Sequence, residues 1–126
     1  MAYLIDTDVL IDVSRGNPEA IDYIDQLSNS WTISIITALE LIVGARDTRE
    51  AAQIDKVIAT YSAIPLDDAI GNVAYGLLKL YARSHGLRVF DSLIAATTLE
   101  KGLVLVTRNR KHFHMIGNLN LEIPRY

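Results

Sequence analysis

Three acidic side chains of this sequence each stand where an apolar run meets the beginning of a helical pattern. Asp6 follows Tyr-Leu-Ile, Glu40 lies in the first turn after Trp-Thr-Ile-Ser-Ile, and Asp91 opens Asp-Ser-Leu-Ile-Ala-Ala. Carboxylates that lie close together repel one another and take up protons unless a cation compensates them. Sites built from carboxylate oxygens and water suit Mg²⁺ or Mn²⁺. If the fold brings the three acids together, they predict a site for one of these cations.

Helix capping is the ordinary alternative explanation for these acids. Thr37 and Glu40 fit the capping-box pattern. Asp91 is a suitable N-cap of its helix, and Asp8 is a suitable N-cap of the helix after the first strand. Serine, threonine or asparagine would cap equally well, so capping does not explain why several junctions carry acids. We therefore expect Asp6 to bind the metal ion, and Asp8 to cap its helix first and to support the site through a water molecule second.

A fourth junction follows the apolar run at residues 103–106, where Thr107 and Asn109 leave the predicted strand. The hydroxyl of Thr107 and the amide of Asn109 can position a water molecule or a phosphate. A plain turn at the end of the strand explains these residues equally well. Beside two of the acids, Thr7 offers a hydroxyl or its backbone N–H, and Ser92 offers another hydroxyl, as supporting groups.

Composition narrows the chemistry further. The chain has no cysteine, which excludes disulfides, thiolate zinc sites and cysteine nucleophiles. His85, His112 and His114 include no pair four residues apart, so a helical zinc site is not indicated. The net charge of −3 argues against a surface that binds phosphates everywhere. It is compatible with a nucleic-acid enzyme, because bound divalent cations reverse the sign of a carboxylate pocket.

Strands and helices alternate along the chain, and this alternation predicts an α/β fold with a central, mostly parallel sheet flanked by helices. Predicted strands occupy residues 3–5, 31–35, 63–66, 103–106 and 119–124. Predicted helices occupy residues 9–15, 18–27, 37–46, 50–61, 67–86 and 90–102. All strand-to-helix junctions of a parallel sheet lie at its carboxyl edge, where such folds bind their ligands. The predicted elements therefore place the junction acids along one edge.

Domain organisation and location are the remaining expectations from composition. We expect one domain over residues 1–126, because the sequence contains no linker, repeat or low-complexity segment. No apolar run reaches the length of a membrane span, and the N-terminus lacks the basic and apolar regions of a secretory signal. These features predict a cytoplasmic protein that does not contact a membrane.

Four stretches of the sequence occur in a telling order: Asp-Thr-Asp after the first strand, Thr-Ala-Leu-Glu-Leu-Ile-Val-Gly-Ala, Phe-Asp-Ser-Leu-Ile-Ala-Ala-Thr-Thr-Leu and Leu-Val-Thr-Arg-Asn-Arg-Lys-His-Phe. In this order they resemble the PIN-domain nucleases, and especially the VapC-type toxins of toxin–antitoxin pairs. The resemblance extends from residue 3 to about residue 123. It implies a PIN-like three-layer fold and an Mg²⁺- or Mn²⁺-dependent endoribonuclease that inhibits translation or growth.

The same resemblance implies two protein partners. The chain would form a homodimer, and a cognate antitoxin protein would block its active-site region. Operator DNA would be contacted only indirectly, through the antitoxin. The identity of the RNA substrate and its cleavage position are left open.

The resemblance also assigns residues to the site. Asp6, Glu40 and Asp91 would hold the metal ion. Asp8, Thr107 and Asn109 would lie nearby. Many PIN domains carry a fourth acid after the last buried strand. This chain has Asn109 at that place, with His112 further on, and Asn109 is expected to be a catalytic residue. Whether one or two ions bind therefore stays open. RNA contacts are expected among six cations: Arg46, Arg83, Arg88, Arg108, Arg110 and Lys111.

Two other functions fit parts of the sequence. Haloacid-dehalogenase-like phosphatases also begin with Asp-x-Asp after a strand, and there Asp6 would be the nucleophile. That interpretation leaves Leu10 where threonine or valine is expected, and it gives Glu40 no role. A non-catalytic α/β binding module would use the acids only as helix caps. Binding of Mn²⁺ and cleavage of RNA would separate the nuclease from both.

Overall fold

The protein is described by a computed structural model over residues 2–28 and 30–126, and this part of the chain contains four strands and seven helices. The strands are β1 (Tyr3–Ile5), β2 (Trp31–Thr32), β3 (Val104–Val106) and β4 (Leu121–Glu122). The helices are α1 (Thr7–Ser14), α2 (Pro18–Gln26), α3 (Ile35–Val43), α4 (Thr48–Tyr61), α5 (Asp68–His85), α6 (Val89–Lys101) and α7 (Arg110–Phe113).

All four strands run parallel in the order β2-β1-β3-β4, so their carboxyl ends meet at one edge of the sheet. Tyr3 pairs with both Trp31 and Val104, which makes β1 a central strand beside β3. This arrangement confirms the predicted α/β fold with a parallel sheet between helices.

Alternate residues of the central strands face opposite sides of the sheet and belong to two separate cores. Leu4 and Leu105 are fully buried in a core that α5 and α6 complete. Ile5 and Val106 are fully buried in a second core, which draws residues from α1 to α4. Because neither face of these strands is polar, helices must cover both, and a three-layer structure results.

Four of the five predicted strands are shorter than the sequence pattern indicates. β3 lacks only residue 103, and β4 covers Leu121–Glu122 of the predicted 119–124. The prediction for residues 31–35 is too long because Ser34 is the N-cap of α3, where its hydroxyl oxygen accepts a hydrogen bond from the N–H of Ile36 at 3.0 Å. The predicted strand at residues 63–66 is reduced to a single bridge between Ile64 and Ser34.

The two long helices α5 and α6 pack against each other on one face of the sheet. Both end, as predicted, at a glycine in the left-handed conformation: Gly86 has φ 70° and Gly102 has φ 64°. This conformation lets the chain turn back sharply, and after Gly102 it enters β3. Within the described ranges, no helix combines the length and the apolar character that crossing a membrane requires.

Candidate active site at the carboxyl edge of the sheet

A cleft of about 310 Å³ opens where β1 and β3 end. It is lined by Asp6, Thr7, Asp8, Ile11, Glu40, Arg88, Val89, Phe90, Asp91, Asn109 and His112. The fold therefore brings the three junction acids to one place, together with Asn109. A larger groove of about 620 Å³ lies between α2 and the segment after β4, but none of the predicted site residues lines it.

Asp6 forms the buried corner of the cleft, with only 5% of its surface exposed. One carboxylate oxygen accepts a hydrogen bond from the N–H of Thr7, and the other accepts one from the hydroxyl of Thr107, each at 2.8 Å. Asp6 is also the N-cap of α1. Burial, and next the charge of Asp8, raise the pKa of Asp6 to about 7. The two hydrogen bonds therefore fix the orientation of the carboxylate, while burial and the charge of Asp8 disfavour its ionised form.

Asp8 is not the cap of α1, so that prediction is wrong. The helix begins at Thr7, because the carboxylate of Asp6 already caps it, and Asp8 falls within the first turn. The carboxylate of Asp8 accepts hydrogen bonds from the N–H of Val9 at 2.8 Å and of Arg108 at 3.0 Å. Burial raises the pKa of Asp8 as well. Asp8 thus ties α1 to the segment that follows β3.

Glu40 does not close a capping box, so that alternative is wrong too. Because Ser34 caps α3, Glu40 lies in the middle of the helix rather than in its first turn. Its carboxylate accepts a hydrogen bond of 2.7 Å from the hydroxyl of Thr7, which also lies 3.1 Å from the hydroxyl of Thr37. Thr7 therefore connects two of the acids: its N–H binds Asp6 and its hydroxyl binds Glu40.

Asp91 lies on the opposite wall of the cleft and is not the N-cap of α6, contrary to the prediction. The cap position is Arg88, which makes no side-chain capping bond, so α6 starts two residues before Asp91. One oxygen of Asp91 lies 3.3 Å from Nδ1 of His112. Burial raises the pKa of Asp91, while His112 and Arg88 act in the opposite direction. This acid is half-buried, and among the described residues its one ion-pair partner is His112.

Two predicted supporting hydroxyls lie beneath the cleft rather than on its surface. Thr107 is fully buried, donates to Asp6 and accepts a hydrogen bond from the N–H of Asn109 at 3.0 Å. Ser92 is also fully buried, but its hydroxyl donates to the carbonyl of Val89 within α6. Thr107 therefore orients a site carboxylate, whereas Ser92 only stabilises the helix that carries Asp91.

The donor set of the cleft fits a hard divalent cation in chemistry, although its carboxylates do not converge. Over the described residues, no three Asp, Glu, His or Cys side chains are grouped closely enough to hold one ion. The acids that line the cleft nevertheless offer only oxygen ligands, which Mg²⁺ and Mn²⁺ prefer. Burial first, and the charge of Asp8 next, raise the pKa of Asp6, and a bound cation would counteract both effects.

Of the six predicted RNA-binding cations, only Arg88 lines the cleft. The guanidinium of Arg108 lies 3.1 Å from Asp12 and stacks 4.5 Å from the centre of the Tyr126 ring. Arg46 forms a 2.7 Å ion pair with Glu50. Arg83 donates to the carbonyl of Lys79, and Arg110 and Lys111 are exposed on α7.

Sequence reasoning missed three apolar residues of the cleft, Ile11, Val89 and Phe90. Val89 and Phe90 immediately precede Asp91, and their side chains are 58% and 56% exposed. An apolar pair at the start of a helix is typical of core packing, so the sequence offers no signal that it faces solvent. The only hint is the position next to a junction acid.

Comparison with known proteins agrees with this geometry. The profile of the PIN domain matches residues 3–118, and the chain belongs to the PIN domain family. Ribonuclease VapC10 of Mycobacterium tuberculosis H37Rv is 34% identical over 119 residues, which cover 92% of this chain and 89% of that protein. The tRNA(fMet)-specific endonuclease VapC of Shigella flexneri is 26% identical over 97% of each chain. A toxin–antitoxin complex from Klebsiella pneumoniae contains a chain with a TM-score of 0.83, 28% identity and 98% coverage of both chains.

Proposed function

We propose that this protein is a divalent-metal-dependent endoribonuclease and the toxin of a type II toxin–antitoxin pair. VapC ribonucleases with a PIN domain are metal-dependent enzymes, and relatives of this chain carry that name. The observation that carries the proposal is the cleft at the carboxyl edge, which gathers Asp6, Glu40 and Asp91 from three separate parts of the chain. RNA is the substrate class, as the names of the relatives indicate.

Asp6, Glu40 and Asp91 would hold Mg²⁺ or Mn²⁺. When bound, the ion supplies Lewis-acid activation of water and of the phosphate for phosphodiester hydrolysis. Thr107 and the N–H of Thr7 hold the Asp6 carboxylate in one orientation, and the Thr7 hydroxyl directs Glu40. Both oxygens of Asp6 are occupied by hydrogen bonds, which suits a ligand of fixed orientation better than the nucleophile of a phosphatase.

Cleavage of RNA by purified protein tests the proposal. We expect cleavage with Mg²⁺ or Mn²⁺, its loss in EDTA, and loss of most activity in Asp91→Asn. The matched control is Asp55→Asn, which removes an exposed acid of α4 that does not line the cleft. Full activity of Asp91→Asn would contradict the site, provided that a mock purification from cells without this protein shows no cleavage. A covalent phosphate on Asp6 after treatment with a small phosphoester would favour the phosphatase instead.

The toxin role has its own test. The similar Klebsiella pneumoniae structure is a toxin–antitoxin complex. By analogy, a small antitoxin protein would bind this chain and restrain its activity. Expression of this protein alone should arrest growth, and co-expression of a short neighbouring gene product should restore growth and co-purify with it. A homodimer should be seen by light scattering. Growth arrest that persists in Asp91→Asn would show that RNA cleavage is not its cause.

A further inference from the structure

The two phenylalanines of the chain occupy opposite environments. Phe113 is fully buried in the core beside α5 and α6. Phe90 is 56% exposed on the wall of the cleft, belongs to neither core, and within the described chain makes no aromatic pair. A ring that stays largely in water gains little from the hydrophobic effect, so the stability of the fold does not explain Phe90.

The charged side chains that line the cleft are mostly acidic, which limits how they can bind RNA. Asp6, Asp8, Glu40 and Asp91 all line the cleft, and the whole chain carries a net charge of −3. Arg88 is the single arginine or lysine of the lining. Ionic contacts from side chains, which dominate affinity in most nucleic-acid-binding proteins, are therefore scarce at this site, and the metal ion would supply the rest. Aromatic stacking is a source of affinity for single-stranded RNA that does not depend on positive charge.

Phe90 lies directly beside the residues of the cleft that would meet a phosphate. Arg88, Phe90 and Asp91 lie within one turn at the start of α6, and all three line the cleft. A phosphate near Asp91 and Arg88 would place an adjoining base beside the ring. We infer that the Phe90 ring is a stacking platform for a nucleobase next to the cleaved phosphate, while the guanidinium of Arg88 contacts the RNA backbone. This inference rests on the proposed ribonuclease function.

Cleavage kinetics of four variants test the stacking role. Phe90→Ala and Phe90→Leu remove the aromatic face, whereas Phe90→Tyr and Phe90→Trp keep it. Stacking on an aromatic residue changes affinity by roughly 5- to 100-fold per base. We therefore expect KM for a 12-nucleotide single-stranded RNA to rise by about that factor in the Ala and Leu variants, with kcat changed little. The Tyr and Trp variants should stay within about threefold of the wild type.

Tyr75→Leu is the matched control. Tyr75 is an aromatic residue of α5 that is 68% exposed and does not line the cleft. Its replacement should leave KM unchanged. Thermal unfolding of every variant should match the wild type, because neither ring belongs to a core.

Fluorescence gives a direct view of the contact. The native chain has one tryptophan, Trp31, which is 9% exposed and stacked 4.1 Å from Tyr61. In Phe90→Trp, the new indole should be quenched when RNA and Mg²⁺ are mixed rapidly, before cleavage. A twelve-unit abasic phosphodiester chain should leave the indole unquenched, because it offers phosphates without bases. The wild type should show no change with either chain.

The outcomes separate the inference from the function on which it rests. If the wild type neither cleaves nor binds RNA with either metal, the proposed function fails. If the wild type cleaves RNA and Phe90→Leu has the same KM, or the abasic chain quenches the indole equally, the stacking role fails alone. If Phe90→Ala abolishes dimerisation or antitoxin binding but not RNA affinity, the ring belongs to a protein interface and the inference is overturned.

Discussion

The two sides of the cleft hold their carboxylates in different ways. On the corner formed by β1 and β3, Asp6 is buried and both of its oxygens accept hydrogen bonds from residues that the fold fixes. On the α6 wall, Asp91 is half-buried, has one side-chain contact to His112, and stands beside the exposed Phe90. The carboxylate of Asp6 is thus held in one orientation by two hydrogen bonds, whereas that of Asp91 has one ionic partner. We therefore expect the corner to be the rigid anchor of a bound ligand and the wall to adjust to it.

The largest effect should come from removing the charge of the anchor. Asp6→Asn should lower RNA cleavage on the order of a hundredfold or more. The amide can keep both contacts, because the hydroxyl of Thr107 can accept as well as donate a hydrogen bond. Initial rates with saturating Mg²⁺ measure the loss. Activity near that of the wild type would show that the corner is not the anchor.

The same variant should be more stable than the wild type in EDTA. The pKa of Asp6 is about 7 in the folded state and 3.8 in the reference state, so between these values the folded protein holds a proton that the unfolded chain has lost. Wild-type stability should therefore fall as the pH rises from 4 to 7, by up to about 4 kcal/mol, and Asp6→Asn should not share this loss. Urea unfolding at pH 5 and pH 8 should register roughly 3 kcal/mol of this loss. Mn²⁺ should stabilise the wild type at pH 8 more than the variant.

The second effect tests whether the rigidity of the corner matters. Thr107→Val removes the hydroxyl that orients Asp6 and that accepts from the N–H of Asn109. Loss of a residue that orients a metal ligand costs ~10- to 100-fold in metal affinity or activity, and Mn²⁺ titration followed by calorimetry measures the first. Thr107→Ser keeps the hydroxyl and should retain the wild-type affinity. Equal losses in the two variants would point to packing rather than orientation.

A smaller effect is expected on the wall. His112→Ala removes the single side-chain contact of Asp91. Because this pair is partly exposed, its contribution is of the order of 1 kcal/mol or less, so cleavage should change by no more than ~5-fold. His114→Ala, which removes an exposed histidine outside the cleft, is the control. A hundredfold loss in His112→Ala would show that the wall is as rigid as the corner.

The smallest effect concerns Arg108. Its guanidinium is engaged by Asp12 and Tyr126, so Arg108→Ala should leave the dependence of RNA affinity on salt unchanged. Arg88→Ala should lower the slope of that dependence by about one, because Arg88 lines the cleft where it can meet a phosphate. Anisotropy of a labelled RNA at several salt concentrations compares them. The reverse result would move the RNA path to the α1 side of the cleft.

The sequence could predict that the acids line one cleft, but it could not predict where the helices start. Parallel strands bring their carboxyl ends to one edge, so residues after buried strands must meet there. The start of α3 depends on the hydroxyl of Ser34, which a pattern of apolar residues does not reveal. The caps assigned to Asp8 and Asp91 failed for the same reason, since each helix begins before its acid.

Contacts between distant parts of the chain were also beyond the sequence. The sequence pattern indicates that Arg108 is a free cation beside the site. In the structure its guanidinium donates a hydrogen bond to Asp12, which lies 96 residues earlier in the chain, and stacks on the ring of Tyr126. The sequence pattern is typical of a core position at Phe90, because an apolar run next to the start of a helix does not show which side chains face solvent. Pairing and exposure are properties of the packed fold, and no local pattern encodes them.

The hydrogen bond between Thr107 and Asp6 joins residues 101 positions apart, so it can form only after both have been synthesised. β1 leaves the ribosome before its partner β3, and the helices α1 to α6 lie between them in the chain. Contacts of such long sequence separation carry a large cost of loop closure and slow folding. A partly synthesised chain therefore holds Asp6 without the strand that orients it. The cleft at the carboxyl edge is therefore completed only once β3 has been translated.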